Sequence, residues 1–375
     1  RQTPITDVVR KVRGAVVNIQ SEKPASNDEF SMIGSAKSNI NGMGTGIIID
    51  SRGYIITNNH VIEDVSILRV RLSDNTLLTA QVIARDPEHD LALLKIDAKK
   101  PLPVITLGTA SDLMVGETVV AIGNAYGYEH TVTVGVVSAT RRDVSLNKEI
   151  SYKGLIQTDA SINPGNSGGP LVNIHGELIG VNVAIRAGAQ GIGFAIPVDT
   201  MVRVSSELMG SKRGNVKHGV GLRNEVKLEQ TEGIRRAAMV DAVESGSPGS
   251  RAGINKGDEL LAIEDFQIKS SLDVERALVD KSPGDKVVFH FRRDGSEQKV
   301  EVTLEPGKPV IAVTEVVWRR IGLKVQPISS DAVSKANNQL HGGLLITEIR
   351  PESVDARAGF QKGDILVGLH QWEMI

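Results

Sequence analysis

Ser167 stands inside Asn163-Pro164-Gly165-Asn166-Ser167-Gly168-Gly169-Pro170, a setting that suits a nucleophile. Small neighbours let backbone N–H groups converge on a developing oxyanion, and those of Gly165 and Ser167 are the candidate pair of donors. A serine hydroxyl at its free pKa attacks poorly. It needs an imidazole to take its proton and a fixed anion to hold that imidazole in the right tautomer. Thr57-Asn58-Asn59-His60-Val61 offers the imidazole at the end of a strand-like run. His89-Asp90-Leu91-Ala92-Leu93-Leu94 offers the carboxylate just before an apolar strand, where partial burial is expected.

Other readings of these residues exist. Gly-x-Ser-x-Gly also fits a plain glycine-rich hairpin, and it fits the nucleophile elbow of α/β-hydrolases. An elbow serine should open a helix and precede its acid and its histidine. Here Leu171-Val172-Asn173 and Leu178-Ile179-Gly180-Val181 read instead as a strand pair joined through His175-Gly176, and the order His60, Asp90, Ser167 is that of chymotrypsin. His89 competes with His60 for the base, but in an extended strand it would face away from its neighbour Asp90.

The elements that must carry these residues are short β-branched runs punctuated by Gly, Asn and Asp, from Val16 to about Ile196. Asp50-Ser51-Arg52-Gly53 and Asn173-Ile174-His175-Gly176 read as hairpin turns between such runs. Many short strands without intervening amphipathic helices favour a sandwich or barrel over a doubly wound sheet. The Ser/Asn-rich stretch from Ser21 to Met43 is read as a surface loop. A helix is expected from Pro197-Val198-Asp199 to about Met209, and the polar segment Gly210 to Lys217 as a domain boundary.

Composition sets the outer limits. The chain has 375 residues, enough for about two or three domains. Its 43 Lys+Arg and 45 Asp+Glu leave a net charge of −2, which removes the electrostatic motive for a nucleic-acid or polybasic membrane binder. A 40% hydrophobic fraction is too apolar for wholesale disorder. With no cysteine, disulfides, thiolate catalysis and Cys-ligated metal sites are excluded. No apolar run is long enough for a transmembrane helix. The chain opens on Arg1 rather than Met, so a start methionine and any targeting segment are expected to lie outside this sequence, and the compartment is not read from it. Aromatics make up only 3%, which predicts aliphatic cores.

The C-terminal part repeats itself. Arg251-Ala252-Gly253 followed by Lys256-Gly257-Asp258 recurs 106 residues later as Arg357-Ala358-Gly359 and Lys362-Gly363-Asp364, with matching apolar residues after each Asp. Two copies of one module are expected. Much less chain follows the second copy, which is therefore expected to be incomplete.

Thr57 to Val61, Asp90 to Lys95, Gly165 to Pro170 and Gln190-Gly191-Ile192-Gly193-Phe194-Ala195-Ile196-Pro197 together resemble the HtrA/Deg family of serine proteases, over essentially the whole chain. The resemblance implies a mostly β chain. A chymotrypsin-like double β-barrel protease domain (1–210) is followed by α+β PDZ domains at 211–306 and, incomplete, 307–375. It makes His60 the general base, Asp90 its orienting acid and Ser167 the nucleophile, with no metal or cofactor. In that architecture the position six before the nucleophile, Ser161, lies with Ile162 at the base of the specificity pocket. No acid stands there, so cleavage after small aliphatic residues is expected rather than after Lys or Arg. Arg142 matches the family's regulatory arginine, and Ala125 stands where proline is usual. Gly219-Val220-Gly221-Leu222 is the expected carboxylate-binding loop of the first PDZ domain, Arg320-Ile321-Gly322-Leu323 that of the second, and 272–279 the helix lining the first groove.

The implied partners are unfolded protein substrates, C-terminal peptides and further copies in a homotrimer or higher multiple, with no nucleic acid. Arg1 to Gln20 holds no Phe, Tyr or Trp, so the family's aromatic trimer contacts do not carry over. The expected location is the bacterial periplasm or envelope. The alternative function is a non-proteolytic chaperone or scaffold that binds exposed C-termini.

Overall fold

The computed structural model describes residues 1–22, 40–63, 65, 67–123, 131–145, 151–183, 191–213, 216–229, 233–307, 322–328, 343–350, 359–366, 368–369 and 372–373. It divides into two compact units, Arg1–Gly307 and Lys308–Ile375. Most of the expected 21–43 loop, Ala125, Arg320-Ile321 and Arg357-Ala358 lie outside the described residues.

In the first unit, six strands form a closed barrel: β1 (Val16–Glu22), β2 (Ile40–Asp50), β3 (Tyr54–Thr57), β4 (Ile67–Arg71), β5 (Leu77–Asp86) and β6 (Leu91–Ile96), in the order β1-β2-β3-β6-β5-β4. The next seven are β7 (Thr106–Leu107), β8 (Thr118–Gly123), β9 (Thr131–Ser145), β10 (Ser151–Thr158), β11 (Pro170–Asn173), β12 (Glu177–Val183) and β13 (Gly193–Pro197). They run in the order β11-β8-β9-β10-β13-β12-β7, and a β11–β12 pairing closes a second ring.

Strand periodicity glues the rings together. Successive side chains point to opposite faces of a strand, so an unbroken apolar run can serve two cores. Ile48, Ala92 and Leu94 fill the first barrel, while their neighbours Ile47, Ile49, Leu91 and Leu93 face out. Val119 and Ala121 fill the second barrel, while Val120 and Ile122 face out to meet them. The barrels are aliphatic, as their composition predicts. The core that follows them is not, since it is built around fully buried Phe289 and Phe291.

Two helices seal the seam between barrels. Helix α1 (Pro4–Val12), which the sequence reading did not include, starts on Thr3, whose side chain caps the Thr6 N–H. Its Val8 and Val12, one turn apart, join the inter-barrel core. Helix α2 (Val198–Arg213) runs four residues past the expected end at Met209, into the stretch read as a boundary. It buries Val198, Met201, Val202 and Leu208 at helical spacing.

The chain continues into β14 (Val216–Lys217), β15 (Val220–Glu229), β16 (Gly233–Val243), α3 (Pro248–Arg251), β17 (Glu259–Ile263), β18 (Phe266–Gln267), α4 (Ser271–Leu278), β19 (Lys286–Arg293), β20 (Ser296–Thr303) and β21 (Glu305–Pro306). The sheet order is β15-β16-β17-β19-β20, which leaves β15 on an edge. Helix α4 packs along α2, and its Leu272 belongs to the protease-side core. Asp50, at the turn between β2 and β3, accepts from Arg52 at 2.8 Å and from Arg276 of α4 at 3.1 Å, tying the same helix to the first barrel.

In the second unit, β22 (Leu323–Ile328), β23 (Gly343–Ile349) and β24 (Ile365–Leu366) pair in that order. The sequence repeat reappears as repeated hydrogen bonds. Val240 N–H donates to Asp258 and Gly257 N–H to Val240; likewise Ile346 N–H donates to Asp364 and Gly363 N–H to Ile346. The Gly219 carbonyl accepts from Glu244 N–H as the Gly322 carbonyl accepts from Arg350 N–H, and both glycines have positive φ. Gly322 therefore corresponds to Gly219 in its hydrogen bonding and backbone conformation.

Candidate active site

His60 lies just past β3, in a short 3₁₀ turn from Asn59 to Ile62 rather than on the strand itself. Asp90 closes the tight turn between β5 and β6 and is almost fully buried. Its Oδ1 accepts the His60 backbone N–H at 2.9 Å, and its Oδ2 faces His60 Nδ1 at 2.7 Å. The carboxylate can only accept, so Nδ1 carries the proton and Nε2 is left as the basic nitrogen. Asp90 holds a left-handed φ of 53°, unusual for a residue other than glycine, and its carbonyl accepts from Asn59 N–H and Asn58 Nδ2. Backbone strain here is offset by the hydrogen bonds that converge on this one residue.

His89 turns the other way. Its Nδ1 pairs with Asp86 at 2.9 Å and its Nε2 accepts from Arg203 of α2 at 3.0 Å. The outcome matches the reading, but the cause is the left-handed turn at Asp90 rather than strand alternation.

The Ser167 loop is seated on the segment that leads to His60. Thr45 N–H donates to the Ser167 carbonyl at 2.9 Å, and Thr45 Oγ1 to the Gly165 carbonyl at 2.6 Å. Thr57 Oγ1 donates to the Thr45 carbonyl at 2.7 Å. A Cβ on Gly168 would stand 2.2 Å from both the Thr45 carbonyl oxygen and Thr57 Oγ1, and 3.0 Å from the Asn58 nitrogen. Only glycine allows this approach, at a φ of 80°. Ser167 is nearly buried, while His60 keeps 39% of its side chain open. Gly165 takes a φ of 102°.

Ser161 is exposed, and its carbonyl accepts from Thr133 Oγ1 at 2.9 Å. Ile162 is half-buried against Gly193, where an added Cβ would stand 2.6 Å from Ile162 Cγ1. Arg142 is exposed on β9 opposite Leu155. The 3.1 Å hydrogen bond from the Tyr152 hydroxyl to Asp90 Oδ2 was not foreseen, and a lone tyrosine in a strand gives no sequence signal for it.

At the far module, Gly219 has the left-handed φ that a backbone nest uses, and Gly221 pairs with Ala242 within the ladder. Val220 and Leu222 of β15 and Ser271 and Glu275 of α4 line a cavity of about 140 Å³, together with Arg203 and Glu207 of α2. Asn224 and Ser271 exchange two hydrogen bonds, which tie β15 to α4.

The family of trypsin-like peptidase domains matches residues 44–181, and that of PDZ domains matches 219–304. A probable periplasmic serine endoprotease, DegP-like, from Ectopseudomonas mendocina is 36% identical over 346 residues, 88% of this chain and 71% of that protein. The periplasmic serine endoprotease DegP of Salmonella typhimurium is 36% identical over 340 residues, 88% and 69%. The solved serine endoprotease from Yersinia pestis is 32% identical and covers 82% of this chain and 98% of its own, with a TM-score of 0.47. With curated relatives matched along more than two thirds of their length, this mostly β chain belongs to the HtrA/Deg family of serine endoproteases, a trypsin-like protease domain followed by a PDZ domain.

Proposed function

We propose that His60, Asp90 and Ser167 are the catalytic triad of this endoprotease. Ser167 Oγ attacks the scissile carbonyl while His60 Nε2 takes its proton. The tetrahedral oxyanion is held by the N–H groups of Gly165 and Ser167, and His60 then protonates the leaving amine. Water repeats the sequence on the acyl-enzyme. The two-point grip of Asp90 on His60 carries this reading, because it fixes both the tautomer and the position of the ring. Ser161 and Ile162 supply an uncharged pocket floor suited to small aliphatic side chains.

The substrates in this reading are unfolded or misfolded proteins, so the enzyme serves protein quality control. C-terminal peptides dock on the free edge of β15, with their carboxylate at Gly219, Val220, Gly221 and Leu222. Arg142 on β9 carries regulation toward the active-site loops. Residues 1–210, 211–306 and 307–375 are read as protease domain, first PDZ domain and a second PDZ-like module, the last supported by its repeated hydrogen bonds. Assembly as a homotrimer or higher multiple follows the family resemblance. The relatives' names are those of periplasmic enzymes, and this chain is placed in the periplasm with them.

Incubation with an unstructured protein tests the reading, comparing the intact chain with Ser167→Ala, each with and without hydrophobic C-terminal peptides. Cleavage by the intact chain alone is expected. Equal cleavage by both forms, or none by either alongside suppressed client aggregation, contradicts it.

A further inference from the structure

The carboxylate of Asp90 has a third partner, and it comes from the other barrel. The Tyr152 hydroxyl donates to Oδ2 at 3.1 Å, the same oxygen that faces His60 Nδ1. Tyr152 sits on β10 opposite Val144 of β9, whereas Asp90 precedes β6 of the first barrel. Its ring is half-buried and packs on the inter-barrel core, so packing rather than solvent sets the direction of the hydroxyl. Burial first, then the charge of Asp90 and the bond to it, and last the charge of Glu63, push the phenol well above its ordinary pKa. It therefore stays a donor at neutral pH.

Two donors share one carboxylate oxygen. The hydroxyl dipole offsets part of the negative charge that the His60 ring feels, and it holds the carboxylate through Oδ2 while His60's backbone N–H holds Oδ1. We propose that Tyr152 is a positioning residue: it orients the Asp90 carboxylate and, through it, sets the orientation and basicity of His60. This rests on the triad reading above. It also makes the seam between barrels part of the catalytic geometry, since a shift of β10 relative to β6 would loosen the acid.

Tyr152→Phe in the full chain keeps the ring and removes only the oxygen. The expected result is a fall in kcat/KM of about tenfold, carried by kcat. The acidic limb of the pH profile moves to higher pH, because the imidazolium then faces the full charge of Asp90. Site-specific 3-fluorotyrosine at 152, a stronger donor of nearly the same shape, moves that limb to lower pH and serves if the Phe variant does not fold. In an Asp90→Asn background, Tyr152→Phe adds no further loss. An unchanged rate, a lower rate with an unmoved limb, or an equal further loss in the Asp90→Asn background overturns the proposal. Ser167→Ala, assayed in parallel, separates the two ideas: its inactivity upholds the triad even if Tyr152 proves dispensable.

Discussion

Asp90 grips His60 twice, through the backbone N–H at 2.9 Å and through Nδ1 at 2.7 Å. Ring and chain are thus held by the same carboxylate, and the tautomer that leaves Nε2 basic is fixed before substrate arrives. Asp90→Asn keeps the shape but can donate to Nδ1, which favours the wrong tautomer. The turnover number on a peptide substrate should fall by about 10⁴-fold, with little change in the melting temperature. A loss under tenfold would mean that the pair does not act as a catalytic unit.

Gly168 tests the seat of the nucleophile loop. Alanine there combines a φ of 80° with a Cβ 2.2 Å from a backbone carbonyl oxygen that β2 holds in place. The expected cost is about 3 kcal/mol or more in denaturant unfolding, with activity lost as the loop lifts. A variant of native stability would show that the loop has room the structure does not grant.

Asp50 predicts a pH dependence of stability. Burial alone would raise its carboxyl, but hydrogen bonds from the Arg52 side chain and backbone, and from Arg276, outweigh burial and hold it below the usual carboxylate range. A folded-state pKa below the unfolded one stabilises the fold above the unfolded value of about 4 and ceases to do so as pH falls through the lowered value. Asp50→Asn should cost about 2 kcal/mol at pH 7, less than a fully buried pair because Arg52 is one third exposed. Melting curves at pH 7 and pH 3 check this: the gap between variant and parent should narrow in acid, and a constant gap would contradict it.

The candidate site was legible in sequence because its parts are local strings. Glycines around Ser167, an acid before an apolar strand and a histidine after one each announce themselves, and their order selects the architecture. Leu91 to Ile96 showed a buried strand, though not that alternate residues feed two different cores. What stayed hidden depends on contacts between distant elements. Tyr152 reaching Asp90, Arg52 and Arg276 sharing Asp50, and Leu272 of α4 entering the protease-side core leave no periodicity to read. The repeat was visible as residue types, but its register came from hydrogen bonds: Gly219 and Gly322 were matched by carbonyl partners, not by their neighbours.

Specificity gives a further test. Ser161 and Ile162 bring no charge to the floor of the proposed pocket, so a Lys or Arg side chain would lie there without a counter-charge. Peptides with Val or Ala before the scissile bond should be cut with kcat/KM at least about tenfold above their Lys and Arg counterparts. A preference for Lys would place the pocket elsewhere.

The most direct measurement is mass-spectrometric trapping with a serine-directed phosphonate or fluorophosphonate on the intact chain, alongside Ser167→Ala and His60→Ala. The account predicts one adduct, on Ser167, absent from the Ala variant and slowed by about 10³-fold or more without the imidazole. An adduct on another serine, or undiminished labelling after loss of His60, would contradict it.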